Sequence, residues 1–393
     1  MSGPGETMAT SAEPRELSLL GGPLHRLGRR LGLVRGGTGA ARLALVLGPL
    51  PWALLAALAL LEGHAGGFFS LALVAGHLRL LVVIPLLFFC EAVLDPELRG
   101  FSREIASSGV LHGAARAAFE RQIERTERWR DAWLPEALCL LAALLLPLLG
   151  GRLEGLGATA VFDPAHALAP ESLAAHVYWF GALAIFRFLV LRWIWKLALW
   201  WHFLWRLSRL ELHLVPTHPD GAAGLGLLEL IQTSFASLVV ALSVLQAGAL
   251  AEELAAGGIA FAEVYPRAGM VIATGIALLV VPLLFFGPKL WACKVRGLAE
   301  YGELAARYVH GFDRKWLRGA PPEEPLLGTA DLQSLADLTN SFRNVRDMHW
   351  IPASARLLIV VVFAAVLPML PLLLFEYPLT ELAQKLLQSL TGL

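Results

Sequence analysis

Long apolar runs alternate with polar segments along this chain. A window of about 20 residues, the length of helix that crosses the hydrocarbon core of a bilayer, finds seven such runs. They are Leu43–Leu61, Ser70–Val93, Trp133–Leu149, Ala174–Ile194, Leu227–Leu254, Ala268–Leu290 and Ala353–Leu374. Backbone polar groups in lipid must bond within their own segment, which an α-helix allows. The pattern therefore predicts an all-α polytopic membrane bundle with about seven transmembrane helices.

The polar segments divide the chain into a tail, a bundle and a terminal helix. The bundle is predicted over residues 42–376, with cytoplasmic helical insertions at 94–132 and 291–352. Before it, residues 1–41 are rich in Gly, Arg and Pro and are predicted to be a largely disordered tail, with a short surface helix within Leu17–Leu33. Residues 377–393 are predicted to form an amphipathic C-terminal helix.

Lysine and arginine counts orient the predicted spans. The polar segments at one end of the bundle carry 24 of these residues, and those at the other end carry 3. Positively charged residues accumulate in the loops that stay in the cytoplasm. The N-terminus is therefore predicted to be cytoplasmic and the C-terminus periplasmic.

Composition supports the membrane assignment and adds little about chemistry. The chain is 56% hydrophobic and 16% charged, whereas soluble domains are about 25% charged. Lys+Arg and Asp+Glu are equal at 32 each, so net charge gives no sign of a nucleic-acid partner. Cys90, Cys139 and Cys293 are far apart and form no metal-binding motif. No cofactor or metal site is predicted.

Two parts of the chain match each other without a gap. Pro85–Phe89 and Pro282–Phe286 both read PLLFF, at an offset of 197, and Arg-Gly follows each at the same offset. A later LPLL occurs in both parts, at residues 146–149 and 370–373. The match predicts a 3+1+3 parallel repeat of the spans, whose halves often enclose a substrate site. The alternative is a chance match between apolar strings.

The polar insertions carry apolar positions at helical spacing. One stripe follows Leu111–Trp133, a second follows Leu298–Trp316, and a third helix is predicted to begin at Thr329 as its N-cap. Such stripes need a partner to bury against. They predict a helical layer packed under the membrane rather than an independent catalytic domain.

The segment 192–209 reads RWIWKLALWWHFLWRLSR and combines tryptophans with cations. Aromatic rings at headgroup depth and a cationic face are typical of an interfacial helix. Two alternatives stand: a bent helix along the inner leaflet, or a straight helix that continues beyond the membrane. The first predicts anionic lipid headgroups as partners of four side chains: Arg192, Lys196, Arg206 and Arg209.

Several ionisable or polar residues fall inside the predicted spans. Such residues are costly in lipid and are candidates for a functional site. The candidate intramembrane polar site consists of His77, Arg79, Arg187, Arg192, Glu229, Gln232 and Thr233. We expect Glu229 to pair with Arg187 or Arg192. The polar stripe of the fifth span either lines a hydrophilic path or makes hydrogen bonds between helices.

The turn before the fifth span, Val215–Gly226, combines two prolines with three glycines. Glycine-rich backbone at a helix N-terminus exposes amide groups that suit an anion. The candidate anion-binding residues are Thr217, His218, Asp220, Gly221, Gly224 and Gly226. The alternative is a purely structural turn, and the segment is not a Walker motif because it lacks the Lys-Ser/Thr pair.

Three segments resemble a group of bacterial multi-pass membrane proteins of unknown function. They are the VPTHPDxAxGLG-like turn, the FDRKWLRG segment at Phe312–Gly319 and the stretch Glu324–Leu338. The resemblance covers most of the chain from the second span onward. It implies a bacterial inner membrane, and it supplies no activity and no catalytic residue.

The patterns favour transporter- or channel-like permeation of a small solute or ion. The alternative is a membrane-anchored scaffold or sensor that acts through its cytoplasmic helices. No catalytic residues are predicted, because the chain has no HExxH, GxSxG or CxxC motif. An odd number of spans and a polar stripe would both permit a homo-oligomer.

Overall fold

The regular structure of the chain is helical throughout the ranges that the computed structural model describes, residues 15–34, 39–146, 172–318 and 328–377. The main α-helices are α1 (Pro23–Arg30), α2 (Gly39–Leu47), α3 (Pro49–Leu61), α4 (Ile84–Ser107), α5 (Gly113–Asp131), α6 (Trp133–Leu145), α7 (Leu183–Ser208), α8 (Leu227–Ser234), α9 (Ala236–Ala255), α10 (Val264–Val280), α11 (Gly287–Trp316), α12 (Ala330–Asp347) and α13 (Ala355–Val366). The predicted all-α class is confirmed.

Six helical stretches in the described ranges are long and apolar enough to cross a bilayer. They are Gly39–Leu61, Leu71–Ser107, Leu173–Ser208, Leu227–Ala255, Phe261–Trp316 and Ala355–Phe375. The remaining predicted run contributes α6, whose 13 residues cover about 20 Å, short of the roughly 30 Å hydrocarbon core. Residues 147–149 lie outside the described ranges, so the count of seven stays a prediction.

Helix distortions occur at the proline motifs of the apolar runs. A π-helical segment, Arg79–Val83, ends two residues before Pro85, and a 3-10 segment, Val281–Phe286, contains Pro282. Proline lacks an amide donor and its ring clashes with the preceding turn, so regular α-helical bonding is lost there. The two PLLFF motifs thus both accompany a distortion, of different kinds. The parallel repeat stays a prediction.

Helix α9 lies at the centre of the bundle, in contact with α4, α10, α13 and the short helix Val74–Leu78. Small residues allow these close approaches, since a Cβ on Gly248 would lie 3.0 Å from Cα of Ala75. The Ser243 hydroxyl donates to the Ala365 carbonyl, which ties α9 to α13. The fifth predicted span is therefore held at this point by an interhelical hydrogen bond.

The tryptophan-rich segment lies within α7, one uninterrupted α-helix from Leu183 to Ser208. The structure favours the continuous-helix alternative, because no break lays the segment along the membrane surface. Trp193 and Trp200 are buried, and Trp200 stacks on Phe203 and Phe235 with ring centroids 5.8 and 5.9 Å away. The expectation that the tryptophan rings lie at headgroup depth on an interfacial helix is therefore wrong for these two rings.

The expectation that residues 1–41 are a largely disordered tail is wrong for residues 15–34. Leu17 and Leu19 are buried in the bundle, and the surface helix predicted within Leu17–Leu33 is only the eight residues of α1. The leucines pack in the apolar core and bring their backbone beside buried charges of the bundle. Residues 1–14 and 35–38 lie outside the described ranges, as do residues 378–393 of the predicted C-terminal helix.

The apolar stripes predicted on the polar insertions pack against neighbouring helices. On α5, Ala115, Phe119 and Thr126 are buried, and the Phe119 ring lies 5.9 Å from Phe203 of α7. Helix α12 packs on α11, and Tyr308 donates to the Asp331 carbonyl across this pair. As predicted, α12 begins directly after Thr329.

Candidate functional site

Four charged side chains form a buried cluster where α4, α6 and α7 meet. Its members are Glu91, Glu136, Arg192 and Lys196, and we refer to them as the ionic cluster. The Arg192 guanidinium donates to Glu136, with Nε 3.0 Å from Oε1, and also to Glu91. Lys196 Nζ lies 2.8 Å from Glu91 Oε1. Two acids and two bases thus balance within the helical bundle.

Pairing of opposite charges offsets the cost of burying this cluster. Moving a charge from water into a low-dielectric interior costs several kcal/mol per ion, and only good geometry with opposite charges offsets the cost. Glu91 and Arg192 are both almost fully buried, with 2% and 1% of their side-chain surface exposed. Loss of either partner would leave the other buried charge with only one opposite charge, Lys196 for Glu91 or Glu136 for Arg192.

The N-terminal segment, residues 15–34, covers the ionic cluster, and we call it the N-terminal cover. Its Gly21 carbonyl accepts from Arg192 Nη2 at 3.0 Å. The Leu24 amide, in the first turn of α1, donates to Glu136 Oε2 at 2.8 Å. The positive end of the helix dipole faces this carboxylate, which strengthens the contact. Cover and cluster therefore share the same carboxylate and guanidinium.

Further polar contacts hold the cover along α4 and α5. Ser18 Oγ donates to Asp95, Leu17 N donates to Ser102 Oγ at 2.9 Å, and Gly22 N donates to Asp131 Oδ1 at 3.0 Å. Burial opposes the charged form of Asp131, but hydrogen bonding from Arg130 and the Gly22 amide outweighs it and lowers the pKa. These contacts extend from Leu17 to the start of α1.

A small cavity lies beside the cluster, between the cover and α4. Its volume is about 10 Å³, space for about one water molecule, and its lining includes Glu91, Asp95 and Lys196. The second carboxylate oxygen of Glu91, Oε2, is buried and accepts no hydrogen bond from the described residues. The cluster thus borders a mostly apolar space no larger than one water.

A second group of polar side chains lies in the spans Leu71–Ser107 and Leu173–Ser208, away from the ionic cluster. Arg79 Nη1 donates to the Tyr178 hydroxyl at 2.9 Å, and Arg187 is close enough to interact electrostatically with both. The two arginines are buried. Arg79 opens one π-helical segment and Tyr178 opens another. Such segments are frequent at functional sites.

The remaining predicted intramembrane residues make local contacts. His77 Nδ1 accepts from Trp52 Nε1 at 2.8 Å, Gln232 Oε1 accepts from Trp200, and Thr233 donates to its own helix. Glu229 accepts from the backbone amide and the hydroxyl of Ser354, at the start of α13. Arg192 contacts Glu91 and Glu136 instead, so the predicted pair of Glu229 with Arg192 is wrong, whereas the pair with Arg187 stays a prediction.

The predicted headgroup contacts divide into two classes. Arg192 and Lys196 are buried in the ionic cluster, so the expectation that they meet lipid headgroups is wrong for these two side chains. Arg206 and Arg209 are exposed, and their guanidinium groups lie 6.0 and 5.5 Å from the Trp205 ring. For these two the headgroup contact stays a prediction.

The glycine-rich turn holds an anion that belongs to the chain itself. The Asp220 carboxylate accepts from the amides of Ala222, Gly224 and Gly226, at 2.9, 3.1 and 2.8 Å, and from His218. An external anion would have to displace it, so the structure favours the alternative of a structural turn. Thr217 takes no part in these bonds.

The turn also joins three parts of the fold. His349 N donates to the Gly221 carbonyl at 2.8 Å, and a Cβ on Gly224 would lie 3.0 Å from Cγ2 of Val110. A Cβ on Gly297 of α11 would overlap Pro216. The close packing of the turn against these segments explains why it needs one particular backbone conformation.

Sequence reasoning missed both acids of the cluster. Glu91 lies within the second predicted span and Glu136 within the third, so both qualified as ionisable residues in lipid. Glu91 and Asp95 are also four residues apart, which places them on one face of α4. No pattern in the sequence indicated that the N-terminal cover would contact the cluster.

Comparison with protein-family models, with curated proteins and with solved structures finds no match to this chain. The described residues contain no group of three or more His, Cys, Asp or Glu side chains that could hold a metal ion. The buried charges are therefore the features of the fold that point most directly to a function.

Replacing Arg192 by Met should lower the free energy of unfolding by about 3–5 kcal/mol, because Glu91 and Glu136 would lose their main partner. Arg206→Met is the matched control on the same helix, since Arg206 is exposed and should change stability by less than about 0.5 kcal/mol. Unfolding of the purified protein in detergent measures both. Equal stability of the two variants would contradict the pairing.

Replacing Asp220 by Asn should destabilise the protein by about 1–3 kcal/mol, because three amides and His218 share the charged carboxylate. Burial disfavours that charge, but the hydrogen bonds outweigh it and lower the pKa. A lowered folded pKa gives stability above the unfolded value of about 3.9, lost as the pH falls through the folded pKa. The two proteins should therefore differ at neutral pH and converge in acid, as measured by unfolding across pH. A difference that persists unchanged in acid would refute this role.

Proposed function

We propose that this protein moves a small ion or polar solute across the membrane. The observation that supports the proposal is the set of buried charges within two spans, Leu71–Ser107 and Leu173–Ser208. These charges are Arg79, Glu91, Asp95, Arg187, Arg192 and Lys196. Ionisable groups inside spans are costly, and they commonly mark the paths of ions and substrates.

The two polar groups occupy different depths of the same helix pair. Arg187 and Lys196 are nine residues apart on the helix that ends at Ser208, about 13 Å by helical rise. Arg79 and Glu91 are twelve residues apart on the other helix, about 18 Å. A solute passing between them would meet charged side chains over much of the roughly 30 Å core.

Anions are the first class of substrate to test. Arg79 and Arg187 bring two guanidinium groups together at one depth, and guanidinium favours carboxylate, phosphate and other anions. Tyr178 contributes a hydroxyl at the same place. The proposal therefore assigns selection of the solute to this group. It assigns closure of the path to the ionic cluster.

The finer topology is part of the same proposal. It has seven spans in a 3+1+3 repeat, with α6 as the described part of the third, a cytoplasmic N-terminus and a periplasmic C-terminus. The charge asymmetry of 24 against 3 supports this orientation. The resemblance of the turn Val215–Gly226 supports a bacterial inner membrane. Anionic headgroups are proposed beside Arg206 and Arg209, and a homo-oligomer is compatible with this arrangement.

Reconstituted vesicles test the transport proposal directly. The wild-type protein should carry at least one member of a panel of chloride, nitrate, phosphate and small carboxylates. Arg187→Gln should reduce that flux by about tenfold or more, because removing a single charged contact at a site costs roughly 1.5–3 kcal/mol. Arg206→Gln is the control and should carry the solute at the wild-type rate. No flux with any of these anions, or with cations and neutral solutes, would refute the proposal.

A scaffold or sensor is the second candidate. Helices α11 and α12 pair through Tyr308, Lys315 and Trp316, which all contact Asp331. Most residues on the outer faces of this pair are exposed. A paired arm of this kind gives a soluble partner a surface to bind, and binding there without any solute flux would favour this candidate.

A further inference from the structure

The N-terminal cover is held by polar and charged contacts as well as by apolar packing. Its buried apolar anchors are Leu17 and Leu19, three further apolar side chains pack partly buried against the core, and most side chains of α1 are partly buried or exposed. The contacts with Arg192, Glu136 and Asp131 all involve charged side chains. Electrostatic contacts respond to a change of charge far more than apolar packing does.

The cover carries a titratable group directly beside the ionic cluster. His25 of α1 is buried, and its Nδ1 atom has no hydrogen-bond partner among the described residues. The charges that act on it are Glu91 of α4, Arg192 and Lys196 of α7, and Arg29 of α1. Glu136 of α6 and Asp131 at the end of α5 are already engaged by the amides of Leu24 and Gly22.

A proton on His25 would be unfavourable at this position. Burial lowers the pKa of His25, and the cations Arg192, Lys196 and Arg29 lower it further, against the opposing effect of Glu91. Charging the ring would place an additional cation beside a cluster whose acids are already paired with Arg192 and Lys196. Release of α1 into water would remove the unfavourable interaction of the charged ring with these cations.

We propose that residues 15–30 form an acid-released gate, in which protonation of His25 detaches the cover and opens the ionic cluster to water. The consequence for flux rests on the proposed transport function, whereas the release of the cover does not. Water reaching Glu91 and Arg192 from the covered side would turn the small cavity into an open vestibule.

The sign of the pH effect follows from the lowered pKa. His25 contributes stability to the closed cover above its unfolded pKa of about 6.5, and this contribution is lost as the pH falls toward the folded pKa. Between those two values the open population rises about tenfold for each pH unit. The closed form is therefore favoured at neutral pH and weakened in mild acid.

Cysteine labelling tests the release without reference to transport. In a background with Cys90, Cys139 and Cys293 replaced by Ala, Leu19→Cys reports on the cover, and Leu31→Cys gives an exposed reference. The ratio of their labelling rates with a water-soluble thiol reagent corrects for the reactivity of thiols in acid. We expect this ratio to rise about tenfold from about pH 7.5 to about pH 5.5.

Two variants make the test specific to His25. With His25→Gln, the ratio should stay low at both pH values, whereas His218→Gln should respond like the parent. Gly22→Ala should raise the ratio already at neutral pH, because its Cβ would overlap the Glu136 carboxylate and Gly22 has a φ of 92°. An unchanged ratio in the parent, or an acid response that survives His25→Gln, would overturn the gate.

Flux measured on the same proteins separates the two proposals. Faster flux in acid that His25→Gln abolishes supports both of them. Acid-dependent labelling without any flux supports the gate and counts against transport. Flux without acid-dependent labelling overturns the gate and leaves transport standing.

Discussion

The contact of the Arg192 guanidinium with Glu91 and Glu136 is the interaction on which the other features of the structure depend. It joins three helices, α4, α6 and α7, through side chains that are almost completely buried. A charge so placed is stable only with its partners, so helix positions and side-chain geometry constrain each other. The N-terminal cover adds the Gly21 carbonyl to the same guanidinium, which brings a segment outside the spans into the network.

This arrangement gives a physical reason for where α6 begins. Its first turn carries Glu136, which must reach both Arg192 and the Leu24 amide. The helix is therefore anchored to the polar network at its start, whatever the path of the residues that follow. Helix α4 is anchored to the same network, because Glu91 contacts α7 and Asp95 contacts the cover through Ser18.

The sequence pattern was sufficient for the helical class and for six of the spans, because apolar run length alone determines them. It failed where an outcome depended on a distant partner. Arg192 and Lys196 looked like an interfacial cationic face, and only the fold brings Glu91 and Glu136 against them. Asp220 looked like part of a site for an external anion, whereas the folded turn directs its amides to that carboxylate.

The residues of the cover illustrate the same limit. Gly, Arg and Pro in residues 15–34 suggested disorder, since the segment has no long apolar run. Its polar contacts are with buried charges more than fifty positions away along the chain, and no local pattern encodes them. Gly21 and Gly22 allow the backbone to approach Arg130 and Glu136 closely, but two adjacent glycines do not indicate which side chains they will meet.

A double-mutant cycle of Glu91→Gln and Arg192→Met measures the central interaction most directly. Unfolding of the two single variants, the double variant and the wild type in one detergent gives the coupling energy between these positions. Our account predicts a coupling above about 1 kcal/mol, because the second replacement removes a charge that the first has already left without its main partner. Effects that add within about 0.5 kcal/mol would contradict it.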